Sequence, residues 1–153
     1  MLLFKVYNSE SKPSEEEKHN IVHFLHTHLQ EFSDTKEAIS KCLDYAVKNT
    51  ISSFGGFVLV LKEQNLVQGI AIINKTGMTD YIPENILVYI AVHENTRGKG
   101  IGKKLIQEAI SLAEGDIALH VEPNNPAIKL YEKLGFTNKY LEMRLNKKVV
   151  FKP

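Results

Sequence analysis

The residues whose types and spacing carry the clearest chemistry are Arg97-Gly98-Lys99-Gly100-Ile101-Gly102. They follow the apolar run Ile86 to Val92 and lead into Ile101, Leu105, Ala109 and Leu112, a spacing that predicts a helix ending near Gly115. A strand, a turn with three alternate glycines and a helix start in direct succession aim unpaired backbone N–H groups at one point. The helix N-terminus adds about half a positive charge there. Such a point suits a pyrophosphate. Glycine lets the backbone approach an anion closely, and Arg97, Lys99, Lys103 and Lys104 add positive charge nearby.

Two other phosphate-binding loops fail on spacing. A Walker loop needs four residues between its first glycine and a Gly-Lys-Ser/Thr, whereas Gly102 is followed by Lys103-Lys104 and no hydroxyl residue. A dinucleotide fingerprint needs two residues between its second and third glycines, and only Ile101 separates Gly100 from Gly102.

The elements that must position this loop are legible from periodicity. Residues 2 to 7 suit a first strand. Ser14 with Glu17 forms a capping-box pattern, and Ile21, Val22, Leu25, Leu29 and Phe32 recur at helical spacing. Asp34 with Glu37 repeats that signal and opens a second helix with Ala38, Ile39, Cys42, Leu43 and Ala46 on one face. Phe57 to Leu61 and Leu66 to Ile73 read as a hairpin, with Gly69 marking a bulge. The continuous hydrophobicity of Ile86 to Val92 predicts a central strand covered on both faces. Ile117 to Val121 is a further strand. Pro126 suits the first turn of a helix that Gly135 ends after Leu134, Tyr140 to Leu145 reads as a last strand, and Lys147 onward as a tail. The expected order is β-α-α-β-β-β-α-β-α-β, an α/β fold whose mixed, mostly antiparallel central sheet is flanked by helices.

Composition bounds the function. With 153 residues and 43% hydrophobic content, one domain spanning 1–153 is expected. A net charge of +1 lacks the basic excess of non-specific nucleic-acid binding, so no nucleic-acid partner is expected. The lone Cys42 sits among apolar neighbours and fits a reducing compartment, and the Met1-Leu2-Leu3-Phe4 start shows no leader pattern. No apolar run reaches membrane-spanning length, so a cytoplasmic protein without a membrane partner is expected.

Arg97-x-x-Gly100-x-Gly102 after a strand, followed by Asn124-x-x-Ala127-Ile128-x-Leu130-Tyr131-Glu132-Lys133-Leu134-Gly135-Phe136, resembles the GNAT family of N-acetyltransferases. The likeness runs from about Phe57 to Leu145, while the helices before it match only in kind. It implies acetyl-CoA as acyl donor and an amine of a small molecule or peptide as acceptor, in a GNAT-like fold acting as monomer or homodimer. It implies that backbone groups of Ile90, Ala91 and Val92 pair with the pantetheine arm. It further implies that amides of Arg97, Gly98, Lys99, Gly100, Ile101, Gly102 and Lys103 hold the pyrophosphate, that Asn124 contacts the cofactor, and that Tyr131 lies near its sulfur. An acyl-CoA-binding module without catalysis is the alternative.

Amine attack on a thioester needs an uncharged amine, a site for the developing oxyanion and a proton for the departing thiolate. Tyr131 is the candidate acid, since a phenol with a pKa of about 10 stays protonated at neutral pH. A backbone N–H near Val92 is the candidate for the oxyanion. Histone-type members of the family carry a glutamate at the position of Ile86, and isoleucine cannot take a proton. A water held by backbone carbonyls is the expected base, with Glu84 and Glu94 as alternatives. His19, His23 and His26 share a helical face opposite the apolar residues and read as solvated, so no metal is expected. His120 reads as a satisfied structural histidine. Asp34, Asp80, Tyr81 and Glu84 lie in turns that would border an acceptor site and would suit a cationic amine.

Overall fold

The computed structural model describes residues 1–50 and 52–148, in two compact units, Met1–Leu119 and the segment from His120 onward. In the first, a five-stranded sheet runs in the order β1-β2-β3-β4-β5. Its strands are β1 (Leu2–Tyr7), β2 (Gly56–Glu63), β3 (Leu66–Lys75), β4 (Asn85–Val92) and β5 (Ile117–Leu119). The first four pair antiparallel, and only β4 with β5 is parallel. The connection between those two is the helix α3 (Ile101–Leu112), as a parallel crossover requires.

Helix α1 (Glu15–His28) starts at the expected capping box: Ser14 Oγ accepts from the Glu17 amide, and the Glu17 carboxylate accepts from the Ser14 amide. Helix α2 (Lys36–Ala46) starts one residue later than Asp34 and Glu37 suggest. Thr35, with extended torsions, occupies the cap and accepts from the Ala38 amide at 3.1 Å. Asp34 is thereby free for another bond. Both helices pack on one sheet face with Val58, Val60, Ile70, Ile72 and Ala91. His19, His23 and His26 lie on the exposed side of α1, as their helical positions indicate. Cys42 is buried on α2, where desolvation pushes its thiol up to about 12.

The alternate positions of β3 face α3. A Cβ built on Gly69 would lie 2.6 Å from Leu105 Cδ1 and 3.0 Å from Ile101 Cγ2. Gly69 is therefore where helix and sheet approach most closely, and the register shift between β2 and β3 falls at its neighbour Gln68. The hairpin turn uses Gln64 and Asn65, both with positive φ (51° and 64°), the torsions of a two-residue turn matched to strand twist.

The second unit holds α4 (Ile128–Lys133). It begins two residues after Pro126, so the proline precedes the helix and does not sit in its first turn. Its end is as expected: Gly135 has φ 102°, its amide bonds the Glu132 carbonyl, and the Phe136 amide bonds that of Tyr131. This double bond over a left-handed glycine closes the helix. The expected strand over Tyr140 to Leu145 does not form. Tyr140, Leu141, Met143 and Leu145 are exposed, and Glu142 and Arg144 pair with each other at 2.7 Å. Apolar–charged alternation is a strand signal only where a ladder partner takes up the backbone groups. The expected tail lies, from residue 149 on, outside the described residues.

Candidate functional site

β4 is not a fully covered strand. Its pairing with β5 stops at Leu87, whereas β3 accompanies it to Val92. The register with β3 also shifts between Leu87 and Tyr89, leaving Val88 as an extra residue, 37% exposed. Among the described residues, one edge of the strand therefore has no ladder partner from Val88 to Val92, and Ile90, Ala91 and Val92 lie on this stretch. Continuous hydrophobicity implied coverage on both faces, but it does not report on the edge.

After β4 the chain makes one 3-10 turn, Glu94–Thr96, and enters the glycine loop. Gly98 and Gly100 have φ of 81° and 79°, and Gly100 caps α3. A Cβ on either would meet nothing within 4 Å, so the glycines serve the left-handed torsion and the space before them is open. The ladder of α3 begins with the Lys104 amide bonding Gly100 O at 3.1 Å. The amides of Ile101, Gly102 and Lys103 precede it and need an outside acceptor. The first turn holds no acidic residue, and Lys99, Lys103 and Lys104 are exposed beside it. These features fit a pyrophosphate, with the open β4 edge leading away from it.

The Arg97 side chain is bonded within the chain. Its Nη2 donates to the carbonyl of His28 at 2.7 Å and its Nη1 to Gln30 Oε1 at 3.2 Å. Gln30 Nε2 in turn donates to Glu94 at 3.4 Å, and the Glu94 amide donates to His28 Nδ1 at 3.3 Å. His28 is buried, with its ring 4.4 Å from that of Phe24 and 4.3 Å from that of His93. Burial lowers its pKa, and the neighbouring His93 adds to this, against an opposing pull from the Glu94 carboxylate. Neither His28 nor Gln30 stood out in the sequence. The available signal was that His28 continues the buried stripe of Ile21, Phe24 and Leu25.

On the same sheet face, the Tyr89 hydroxyl donates to Asp34 at 2.5 Å. Burial and then the carboxylate raise the phenol's pKa, so Tyr89 stays a donor. Glu84 lies beside Gly115, whose added Cβ would meet its carboxylate at 2.1 Å. It therefore sits at the opposite end of β4 from the loop, about 25 Å away along the strand. Ile86 is half-buried and pairs with Asn74 and Ala118. Two surface hollows of about 330 and 500 Å³ lie elsewhere, one between β1 and the outer side of α3 and the other between α1 and α2.

In the second unit, Asn124 is exposed in the turn before α4. Asn125 holds that turn, its Oδ1 accepting from the Ala127 amide at 2.9 Å. Tyr131 is buried, with its ring edge-on to Phe136 at 5.9 Å, and burial pushes its phenol up to about 12. β5 ends at Leu119, short of the expected Val121, so His120 follows the strand and is exposed.

The fold recurs in solved structures. The aminoglycoside N-acetyltransferase AAC(6')-Iy in complex with CoA superposes with a TM-score of 0.68 at 12% identity, covering 97% of each chain. A GNAT family acetyltransferase from Streptococcus pneumoniae TIGR4 gives 0.67 at 16% identity, over 96% of this chain and 99% of that one. The NatC complex bound to Gag peptide and CoA gives 0.68 at 21%, over 89% and 84%. These likenesses concern the fold. Residues 54–138, more than half of the chain and including both the glycine loop and Tyr131, match the model of the acetyltransferase (GNAT) domain. The chain thus belongs to the GNAT acetyltransferase family, as an acetyl-CoA-dependent acetyltransferase.

Proposed function

We propose that the protein acetylates a primary amine of a small molecule or peptide, by direct attack of the amine on the thioester. The observation that carries this reading is the continuity of the unpaired β4 edge with the glycine loop and the start of α3. An amide-bearing arm can add to such an edge as a further strand would, while a pyrophosphate takes the amides of the loop. Backbone groups of Ile90, Ala91 and Val92 are assigned to the arm. Amides of Arg97 to Lys103 are assigned to the pyrophosphate, and Asn124 to a cofactor contact. Acetyl-CoA supplies a thioester, so the C–S bond breaks as the new C–N bond forms.

The chain's own groups supply the rest. Tyr131 is the proton donor to the leaving sulfur: with its phenol pushed up to about 12, it is fully protonated at neutral pH. A backbone N–H near Val92 meets the developing oxyanion. The amine proton leaves to an ordered water. Ile86 offers no base, Glu84 sits at the far end of β4, and Glu94 is engaged with Gln30. The carboxylate of Asp34, with Tyr89 beside it, is suited to attract a cationic acceptor before it deprotonates. Relatives of the same fold include an aminoglycoside N-acetyltransferase and a complex bound to a peptide, which supports either acceptor class. Tyr131→Phe tests the acid: kcat should fall about 100-fold, the usual scale of a general acid, with acetyl-CoA affinity retained. Equal kcat in the variant would remove Tyr131 from the reaction.

A further inference from the structure

We propose that Arg97 is a positioning residue whose side chain ties the cofactor loop to the turn between α1 and α2, making that turn a preformed wall of the acceptor site. The role of the turn as a wall rests on the function proposed above, whereas the tie rests on bonds within the chain. The His28 carbonyl lies in the last turn of α1, where carbonyls lack a helical partner, and the Arg97 guanidinium takes it at 2.7 Å. The same guanidinium reaches Gln30. Gln30 has φ 55°, a left-handed torsion that glycine would adopt more readily. A glutamine there gives what glycine lacks, an amide whose oxygen accepts from Arg97 and whose nitrogen donates to Glu94. With the Glu94 amide on His28 Nδ1, four hydrogen bonds join the end of α1 to the segment between β4 and α3.

The turn is held at its other end as well. Asp34, displaced from the cap of α2 by Thr35, accepts from Tyr89 on the open stretch of β4. Between these two ties lies the 3-10 turn Gln30–Phe32, with Phe32 N–H on Leu29 O at 3.1 Å and Ser33 N–H on Gln30 O at 3.1 Å. A turn fixed at one end to β4 and at the other to the segment that follows it fixes the shape of the surface an acceptor meets. It also links that surface to the loop that carries the pyrophosphate.

Hydrogen exchange and steady-state kinetics on Arg97→Met test this together. The amides of Phe32 and Ser33 should exchange about tenfold faster or more, the factor that follows from losing a charge-assisted hydrogen bond. The KM for the amine should rise several-fold, while the acetyl-CoA Kd changes less than about threefold and keeps its salt dependence. Arg97→Lys, which keeps the charge but not the fork, should restore exchange protection only in part. Asp34→Asn, at the other tie, should loosen the same amides and leave the acetyl-CoA Kd unchanged. The opposite pattern overturns the proposal: unchanged exchange, with acetyl-CoA binding weakened about tenfold or more and restored by lysine, would make Arg97 a direct phosphate ligand. Exchange is read without substrate, so a wild-type protein that acetylates no amine would refute the functional reading while the tie is judged separately.

Discussion

At the scale of single residues, torsion and burial decide what each group can do. Gly100 has a left-handed φ with open space around the position of a Cβ. Gly100→Ala should therefore cost about 1–2 kcal/mol of loop stability through torsion alone. Its acetyl-CoA KM should rise about tenfold, as the loop amides lose their common aim, and a titration calorimeter or initial rates would show it. An unchanged KM would separate the loop from cofactor binding. His28 gives a pH prediction. Its folded pKa lies below the ordinary value of about 6.5, so the folded state holds fewer protons there. Its contribution to stability is complete above about pH 6.5 and is lost as pH falls through the depressed folded value. Protonation would place a charge against His93 and Arg97, with His23 also repelling it and only Glu94 in favour. Thermal melts at falling pH should show a steeper loss of Tm below pH 6.5 for the wild type than for His28→Asn. Parallel curves would remove His28 as the cause.

At the scale of elements, the site depends on how closely α3 lies on β3. Gly69 admits Leu105 and Ile101 onto the sheet, and Leu105 is fully buried. Gly69→Ala should destabilise the fold by about 1–3 kcal/mol, the range for overpacking a filled core. Urea melts would measure it, and a midpoint equal to wild type would show that α3 can shift without cost. The sequence announced Gly69 as special but not why, because a bulge and a close approach both select glycine. The same limit appears at α2, where the local pattern points to Asp34 with Glu37 and the folded chain uses Thr35 as the cap. Asp34 bonds instead to Tyr89, 55 residues away. Local patterns report local preferences, so the capping box of α1, the helix faces and the hairpin were legible, while the cap of α2, the β4 edge and the position of the Arg97 side chain needed long-range contacts.

At the scale of the whole molecule, the family match spans motifs in both compact units. Acetyl-CoA at 100 times its Kd should stabilise the folded chain by about 2.7 kcal/mol. For a chain of this size, that predicts a rise in Tm of roughly 5–10 °C. ATP should give no such rise, since the loop lacks the lysine-hydroxyl pair of a Walker site. The glycine loop and the Asn124 to Phe136 motif were readable because each is a short run of set residue types and spacing. The choice of acceptor was not, since turns and loops follow no periodic pattern that a sequence would display. Among the described residues no helix is long and apolar enough to cross a membrane.

The most direct measurement is the release of free thiol from acetyl-CoA in the presence of a panel of small primary amines and peptides, followed over time against a reaction without amine. Thiol release should depend on both amine and enzyme, with one acetyl group appearing on the amine per thiol freed. Saturable acetyl-CoA binding without release on any amine would contradict it, and would leave the open β4 edge and its glycine loop as a binding site alone.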